Sequence, residues 1–316
     1  MEWILSGYSG IANFQDNRPI WKETTAGLSY WTSGDGLLFA AEEFPGKAAV
    51  RLYRRDKDGW TLGDRREIPG GELCHLAYSS RDRVLLGACY EDGVIFSLGV
   101  EAESGRFGKL YSCFSQGEGL TRAHCALING AEDAVYSANI AQDRIYRYAL
   151  SGGVLTETGF FSLPAGAGPR HLALREDLGK IYAVTEYSSE IFTLDLHNGE
   201  ILGRVSTLRP GFAGESYCST LAFSPDNRFL VAANRGENTL AVFSADKQGN
   251  LSFSSRQSCF GDWPRDFALM GEGKFVGIAN QNSGEAVLCP RNPETGGIGE
   301  PVWRVSLKEA ACIREL

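Results

Sequence analysis

A short strand recurs through the chain, and each copy carries one shared alanine. Successive shared alanines lie 49, 47, 49 and 46 residues apart. The copies are CHLAY (74–78), AHCAL (123–127), RHLAL (170–174), STLAF (219–223) and RDFAL (265–269). A period of about 40 to 50 residues is typical of a β-propeller blade, which is a sheet of four strands.

The residues that follow each copy agree with this interpretation. Each copy is followed by a turn and a second strand, then by a third strand and a more polar fourth. The second strands lie in VLLGACYED, AVYSANIAQD, KIYAVTEYSS, FLVAANRGEN and FVGIANQNSG. Short alternating runs of Val, Ile, Tyr, Phe and Leu are broken by Gly, Asn or Asp, and helical periodicity is hard to find. The sequence therefore predicts an all-β fold.

The number of blades follows from the two ends of the chain. The pattern extends upstream to LSYWTSGDGLLFAAEEF (28–44), which is a sixth unit, and a seventh first strand lies near AACIREL (310–316). That strand has no partners after it, so residues 2–25 must supply them. Such a blade closes the ring and removes open sheet edges, whereas a solenoid would need polar caps. We expect a seven-bladed β-propeller, with no linker and therefore a single domain over residues 1–316.

Charge and composition exclude several classes of partner. The net charge is −8 and Lys and Arg are not clustered, so we expect no nucleic-acid ligand. We find neither a stretch of about 18 apolar residues nor a secretory leader, and expect no membrane contact. The eight cysteines lack CxxC or zinc-type spacing. We therefore expect reduced thiols, a cytoplasmic location, and a monomer or weak homo-oligomer.

Polar residues recur where a propeller would gather them. The first strand of each blade lines the central channel, and the loop entering it opens on the same face as the loop between strands two and three. Three of the four histidines, His75, His124 and His171, lie two residues before a shared alanine. The fourth, His197, falls in a predicted surface turn. A packing role is the alternative for a channel histidine, and for His75 we favour it.

Charged residues join the histidines at these places. Arg170 precedes His171, and Arg265 has the same register two blades later. Glu186, Arg235 and Gln281 follow three successive second strands. In the earlier blades the equivalent residues are Asn139, Cys89 and either Glu42 or Glu43. Repeat symmetry predicts that these side chains point into one pocket.

Such a pocket suits a small anionic substrate with a carbonyl group at its centre. Guanidinium groups bind carboxylate or phosphate in bidentate fashion and stabilise an oxyanion as it forms. A glutamate or a histidine can carry a proton to or from water. The sequence contains no Gly-rich phosphate loop, GxSxG or HExxH motif, and its histidines do not match a zinc triad. We therefore predict neither a metal nor another cofactor.

At this point the sequence resembles the lactonase family of seven-bladed propellers. The family includes bacterial 6-phosphogluconolactonases and the fungal carboxymuconate lactonizing enzyme, a cycloisomerase. The likeness is carried by GPRHLAL (168–174), YAVTEYSS (182–189), SPDNRFLVAANRGENTLAVF (224–243), WPRDFAL (263–269), GKFVGIANQNS (273–283) and NPETGGIG (292–299). The match is specific over three blades and weaker over the rest.

The resemblance implies a lactone-opening or lactone-forming site at His124, Arg170, Glu186 and Arg235. Glu186 and His124 are then the catalytic pair, either of them acid or base, and both arginines bind substrate. His171, Gln281, His75 and Arg265 complete the substrate-binding set.

This chain departs from the family pattern at four places. It has Arg122 where members often have the first histidine of His-X-His, Asp266 for the histidine of PRHF, and Thr185 for the asparagine before Glu186. Residues 14–31 also match poorly. Hydrolysis of an anionic sugar lactone is our first hypothesis. Cycloisomerisation and a non-catalytic binding propeller are the alternatives, since fold does not fix function.

Overall fold

The computed structural model describes all 316 residues. The amino-terminal strands are β1 (Glu2–Gly7), β2 (Gly10–Gln15) and β3 (Arg18–Glu23). The next twelve are β4 (Leu28–Gly34), β5 (Leu37–Phe44), β6 (Lys47–Asp56), β7 (Gly59–Ile68), β8 (Leu73–Ser79), β9 (Val84–Cys89), β10 (Val94–Glu101), β11 (Arg106–Ser115), β12 (Leu127–Ile128), β13 (Ala134–Asn139), β14 (Arg144–Ser151) and β15 (Val154–Ser162). The last thirteen are β16 (Pro169–Arg175), β17 (Lys180–Thr185), β18 (Glu190–Asp195), β19 (Ile201–Ser206), β20 (Tyr217–Phe223), β21 (Phe229–Arg235), β22 (Thr239–Ala245), β23 (Leu251–Ser258), β24 (Pro264–Met270), β25 (Phe275–Asn280), β26 (Glu285–Pro290), β27 (Trp303–Ser306) and β28 (Ala310–Glu315).

These strands form seven four-stranded sheets. Blade 1 is β4–β7, and each following set of four strands is the next blade, up to blade 6, which is β24–β27. Blade 7 has the order β28-β1-β2-β3. The all-β, seven-bladed propeller predicted from the repeat is confirmed. The single helix is a 3₁₀ turn at Glu176–Leu178, so no helix has the length or apolar character to span a bilayer.

The chain divides into two compact units, 1–24 with 165–316, and 25–164. The first unit contains blades 4 to 7 and the second contains blades 1 to 3. In each unit the apolar side chains form clusters between neighbouring sheets. Phe39 and Phe96 are fully buried in such a cluster of the second unit, and Val231 and Ile278 in one of the first. A single domain stays a prediction.

Blade 7 joins both ends of the chain, as the sequence predicts. Strand β28 pairs antiparallel with β1, from Trp3 opposite Glu315 to Gly7 opposite Ala310. A buried ion pair also ties β28 to blade 6. Arg314 donates to Asp266 Oδ2, and Asp266 has 4% of its side chain exposed. Asp266 also accepts the Ile313 N–H at 3.2 Å. The carboxylate that replaces the family histidine therefore holds the carboxyl-terminal strand.

A β-bulge recurs near the start of the inner strands. The register shifts between Leu28 and Tyr30, between Leu73 and His75, between Pro169 and His171, between Cys218 and Leu221, and between Pro264 and Asp266. The strand pairing of blade 7 has a similar shift, between Ser6 and Gly7 of β1. A bulge places one extra residue on the strand and redirects its side chain. We call the extra residue at such a shift, for example Arg170 between Pro169 and His171, the displaced residue of its strand.

The inner strand of blade 3 is shorter than predicted. Regular pairing covers only Leu127–Ile128, with an isolated bridge between Ala123 and Asn139. The Ala126 N–H donates to Nδ1 of His75 at 3.3 Å. Because that N–H goes to a side chain of the neighbouring blade, it is not available to the ladder. The predicted strand at 123–127 is thus only partly regular.

Candidate active site

The bulge positions carry two of the predicted arginines. Arg170 is the displaced residue of β16, and Arg265 is the displaced residue of β24. The equivalence of these two positions, predicted from the repeat, is confirmed. Arg170 is 2% exposed, whereas Arg265 is half-buried.

The residues that follow the second strands are also equivalent. Glu186 and Gln281 each donate their N–H to the loop that enters the inner strand, at the carbonyls of Gly168 and Trp263. Arg235 pairs with Tyr217 at the same place. Tyr8, Tyr90 and Ile140 also follow second strands, and Glu43 lies one residue before the end of β5. The N–H groups of all four make the same kind of bond.

This register corrects the sequence alignment in blades 2 and 3. Cys89 and Asn139 lie one residue too early, because each pairs with the start of its own inner strand. In blade 1 the equivalent residue is Glu43, since Glu42 pairs with Leu28. Glu42 instead forms an ion pair with Arg51 and Arg65.

Glu186 lies between two buried guanidinium groups. Its Oε2 is 3.0 Å from Arg170 Nε and 2.9 Å from Arg235 Nη2. The side chains of Arg170 and Arg235 are 3% and 8% exposed, and that of Glu186 is 14% exposed. Both contacts are ion pairs between largely buried groups, and such pairs are screened by solvent much less than pairs at the surface. The three residues form one connected group in the first unit.

Backbone carbonyls fix both arginines. Arg170 donates through Nη1 to the carbonyl of Ser219. Arg235 donates through Nε to the carbonyl of Tyr217 at 3.2 Å and through Nη2 to that of Cys218 at 3.1 Å. These carbonyls belong to the bulged start of β20. The bulge therefore supplies the acceptors that orient the guanidinium groups.

Burial lowers the pKa of Arg235, and the nearby positive charge of Arg265 lowers it further. The carboxylate of Glu186 acts in the opposite direction. An anion bound beside Arg235 would therefore stabilise the charged guanidinium. This part of the molecule favours a negatively charged ligand.

An aromatic ring packs against Arg235. The guanidinium carbon is 5.5 Å from the ring centroid of Trp263. Trp263 has a φ of 65°, a left-handed conformation that costs a non-glycine residue about 1 to 2 kcal/mol. Gly168 occupies the equivalent place in blade 4 with a φ of 68°, and a Cβ there would lie 2.7 Å from the ring of Tyr187. Glu72 and Glu309 adopt the same conformation at this place in blades 2 and 7, so the fold itself requires it.

The remaining predicted residues of the first unit are His171, Arg265 and Gln281. His171 is 7% exposed and its Nδ1 is 2.9 Å from Thr220 Oγ1. Arg265 packs over the ring of Tyr8 at 5.4 Å. Gln281 is half-buried at the end of β25. The structure thus brings Arg170, Glu186 and Arg235 into direct contact.

His75 and His124 belong to the second unit. His75 is 7% exposed; its Nδ1 accepts the Ala126 N–H, and its Nε2 is 3.0 Å from Tyr30 Oη. A ring nitrogen that accepts carries no proton, so this pattern fits a neutral ring with the proton on Nε2. His124 is 5% exposed, and its ring meets that of Tyr90 edge-on at 6.0 Å. His197 is exposed, as expected.

Sequence reasoning missed Tyr8 and Trp263. Tyr8 lies in blade 7 at the place that Glu186 holds in blade 4, but the inner strand of this blade is β28 at the other end of the chain, so the repeat spacing does not reach Tyr8. Trp263 begins the segment WPRDFAL, but no repeated residue type marks its position in the other blades. No group of three or more His, Cys, Asp or Glu side chains is arranged to hold a metal ion. All eight cysteines are unbridged, and seven are buried.

Comparison with known proteins places the chain in a family. The family model described as lactonase, 7-bladed beta-propeller matches residues 25–315. A 6-phosphogluconolactonase of Bacillus subtilis is 30% identical over 293 residues, 89% of this chain and 84% of that protein. A 6-phosphogluconolactonase of Formosa agariphila is 25% identical over 268 residues, 79% of this chain and 76% of that protein.

Among solved structures, the periplasmic gluconolactonase of Pseudomonas aeruginosa superposes with a TM-score of 0.90 at 24% identity, covering 99% of this chain and 98% of that one. This likeness shows the same fold. The family match covers all of blades 1 to 6 and the carboxyl-terminal strand of blade 7. The chain therefore belongs to the lactonase family of seven-bladed β-propellers.

Proposed function

We propose that this chain hydrolyses an anionic sugar lactone of the 6-phosphogluconolactone type. The observation that carries the proposal is the single oxygen of Glu186 held by Arg170 and Arg235. A carboxylate beside two guanidinium groups combines a proton acceptor with anion binding and oxyanion stabilisation. Family membership and the relatives named 6-phosphogluconolactonase support the same chemistry.

In the proposed reaction, water attacks the lactone carbonyl carbon and Glu186 takes its proton. The carbonyl electron pair moves onto oxygen, and a guanidinium group stabilises the oxyanion. The oxyanion then collapses and the ring C–O bond breaks. The departing alkoxide takes a proton from His124. The product is an open-chain hydroxy acid, whose carboxyl proton passes to solvent at neutral pH. Glu186 gives its proton to solvent and His124 takes one from solvent, which restores both groups for the next turnover.

Glu186 is better suited to the role of base than to that of acid. An ion-paired carboxylate accepts hydrogen bonds and has no proton to give. An anionic substrate that pairs with Arg170 or Arg235 would also release Oε2 of Glu186 from that arginine, so that this oxygen can accept a proton from water. Substrate binding would thus prepare the site.

His124 enters the proposal through its repeat position, which is that of His171 in the next blade. As an imidazolium it can give a proton to an alkoxide within the pH range where most enzymes work. We propose His171, Gln281 and Arg265 as further substrate-binding residues. His75 is proposed for the same set, although its two hydrogen bonds suit a residue that orients its neighbours.

Hydrolysis is favoured over the two alternatives. The relatives that carry an activity name are lactonases, which argues against cycloisomerisation and against a purely binding role. The same arginines and proton carrier would serve a cycloisomerase. Only hydrolysis incorporates solvent oxygen into the product, so 18O-labelled water separates the two reactions.

We further propose that the reaction needs no metal ion, because Arg170 and Arg235 supply the positive charge that a metal would bring to an oxyanion. Activity that survives dialysis against a chelator supports this, and loss that is restored by a metal contradicts it. We also propose a cytoplasmic protein, a monomer or weak homo-oligomer, whose blades fold as one domain. One calorimetric unfolding transition for both units would support the single domain.

The central test is a panel of lactones measured by pH-stat with the purified protein. We expect proton release above the uncatalysed rate for 6-phosphogluconolactone, and slower release for glucono-δ-lactone, which lacks the anionic group. Muconolactone serves as the probe for the cycloisomerase alternative. Hydrolysis of none of these lactones would contradict the proposed function.

A further inference from the structure

The contact between Trp263 and Arg235 joins two blades at the candidate site. Arg235 ends β21 in blade 5, while Trp263 lies in the loop that enters β24 of blade 6. The guanidinium carbon is 5.5 Å from the ring centroid, within the range of a cation–π contact. Tyr217 adds a second ring, 6.0 Å from that of Trp263. Its carbonyl also accepts the Arg235 Nε–H.

The backbone around Trp263 holds the ring in this place. Its N–H donates to Asn238 Oδ1 at 2.9 Å, and its carbonyl accepts the Gln281 N–H at 2.9 Å. The loop position takes a left-handed φ, which Gly27 and Gly168 supply in blades 1 and 4 and which Glu72 and Glu309 adopt in blades 2 and 7. The conformation of Trp263 is therefore a feature of the fold. What distinguishes blade 6 is an aromatic ring at this position that packs against a site arginine, and this contact points to a role in positioning it.

The ring stabilises the positive charge of Arg235, which burial disfavours. Burial and the charge of Arg265 both lower the pKa of this guanidinium. The negative face of an indole stabilises a cation without occupying its N–H donors. The Nη2 group therefore remains directed at Glu186, at 2.9 Å. A second carboxylate in place of the ring would instead compete with an anionic substrate.

We propose that Trp263 is a positioning residue that sets the plane of the Arg235 guanidinium for the anionic lactone. The inference rests on the proposed function, since it assigns Arg235 to substrate binding. Trp263 acts through Arg235 and needs no contact with the substrate. Its removal should therefore have an effect only while Arg235 is present.

The experiment is a double-mutant cycle of Trp263→Leu and Arg235→Gln. In the wild-type background, Trp263→Leu should lower kcat/KM for 6-phosphogluconolactone about 3- to 30-fold, the range expected for loss of a partly buried cation–π contact. In the Arg235→Gln background it should change kcat/KM less than twofold. Trp263→Phe keeps an aromatic face and should retain most of the wild-type kcat/KM. A purely structural role would not produce this dependence on Arg235.

The chain offers a matched control in Trp60, which packs with Arg55 at the same 5.5 Å in blade 1. Trp60→Leu should leave kcat/KM within twofold of wild type. Trp263→Gly separates strain from positioning, because glycine accepts the left-handed φ but has no ring. It should retain the fold by circular dichroism and lose activity as Trp263→Leu does.

Calorimetry with 6-phosphogluconate, the product, measures the same double-mutant cycle as changes in binding affinity, and it needs no turnover. If Trp263→Leu lowers affinity and kcat/KM equally in both backgrounds while the wild type hydrolyses lactone, the inference is overturned and the proposed function stays intact. A wild type that binds 6-phosphogluconate with the expected coupling but hydrolyses no lactone would support the inference and overturn the function. A wild type that shows neither binding of 6-phosphogluconate nor hydrolysis of lactone would overturn both the inference and the proposed function.

Discussion

Arg170 and Arg235 share one carboxylate oxygen, Oε2 of Glu186, at 3.0 and 2.9 Å. The two arginines come from neighbouring blades: Arg170 is displaced by the bulge of β16, and Arg235 ends β21. Because one oxygen serves both, a change at any of the three residues alters the surroundings of the other two. Substitutions within this group should therefore be non-additive.

The first prediction concerns Glu186→Gln, which keeps the shape of the side chain and removes its charge. If Glu186 is the base, kcat for 6-phosphogluconolactone should fall roughly 10²- to 10⁴-fold. Affinity for 6-phosphogluconate should stay equal or increase, because a like charge is removed from the anion site. Steady-state kinetics and calorimetry measure the two effects.

Glu272→Gln is the matched control, since this side chain is 86% exposed and pairs with Lys274 at the surface. It should change neither quantity by more than twofold. Unaltered turnover in Glu186→Gln would rule out Glu186 as the base.

The second prediction concerns Arg170→Lys. Arg170 uses Nε for Glu186 and Nη1 for the Ser219 carbonyl, and a single ammonium cannot reproduce this fixed fork. We expect KM to rise and kcat/KM to fall about 10- to 100-fold, the equivalent of one charged hydrogen bond. Arg204→Lys, at a side chain that is 65% exposed, is the control. Equal kinetics for both variants would remove Arg170 from the site.

The third prediction concerns closure of blade 7. Deletion of residues 308–316 removes β28, so that β1 loses its inner partner and exposes a sheet edge. We expect aggregation or loss of cooperative unfolding, measured by light scattering and thermal melting. Deletion of Leu316 alone is the control. A truncated protein that melts like the full-length chain would contradict this role of β28.

The fourth prediction concerns the thiols. Titration in denaturant should find all eight cysteines, with and without reductant. In the native protein most should react slowly, because burial raises the pKa of Cys218 and Cys259 to about 11 and that of Cys289 to about 12. Cys113 is less buried and should react first. A deficit without reductant would reveal disulfides and argue against the cytoplasmic location.

The fifth prediction is a pH dependence of stability at Glu42 in blade 1. Burial opposes ionisation, but hydrogen bonds from Arg65 and Arg51 hold the pKa of Glu42 below its usual value. A lowered folded-state pKa adds stability that is complete above the unfolded-state pKa, about 4.3, and is lost as the pH falls through the folded value. Urea melts from pH 7 to pH 3 should therefore show less acid destabilisation in Glu42→Gln than in wild type. Parallel curves for the two proteins would refute this role.

The sequence alone was sufficient for the blade count, the closure of blade 7 and the equivalence of Arg170 with Arg265. These features depend on alternation and on spacing, which repeat locally along the chain and need no knowledge of packing. The same spacing brought Glu186, Arg235 and Gln281 to equivalent places. It also located the carboxyl-terminal strand that β1 pairs with.

Tertiary structure decided the features that depend on a shift of one residue. Hydrogen bonds decided that Tyr90 and Ile140, rather than Cys89 and Asn139, hold the place of Glu186 in blades 2 and 3. Only packing showed that Arg170 and Arg235 share one oxygen, and that Trp263 lies against Arg235. These contacts join residues of different blades, and the geometry between sheets is set by packed side chains rather than by the order of residues within any one strand.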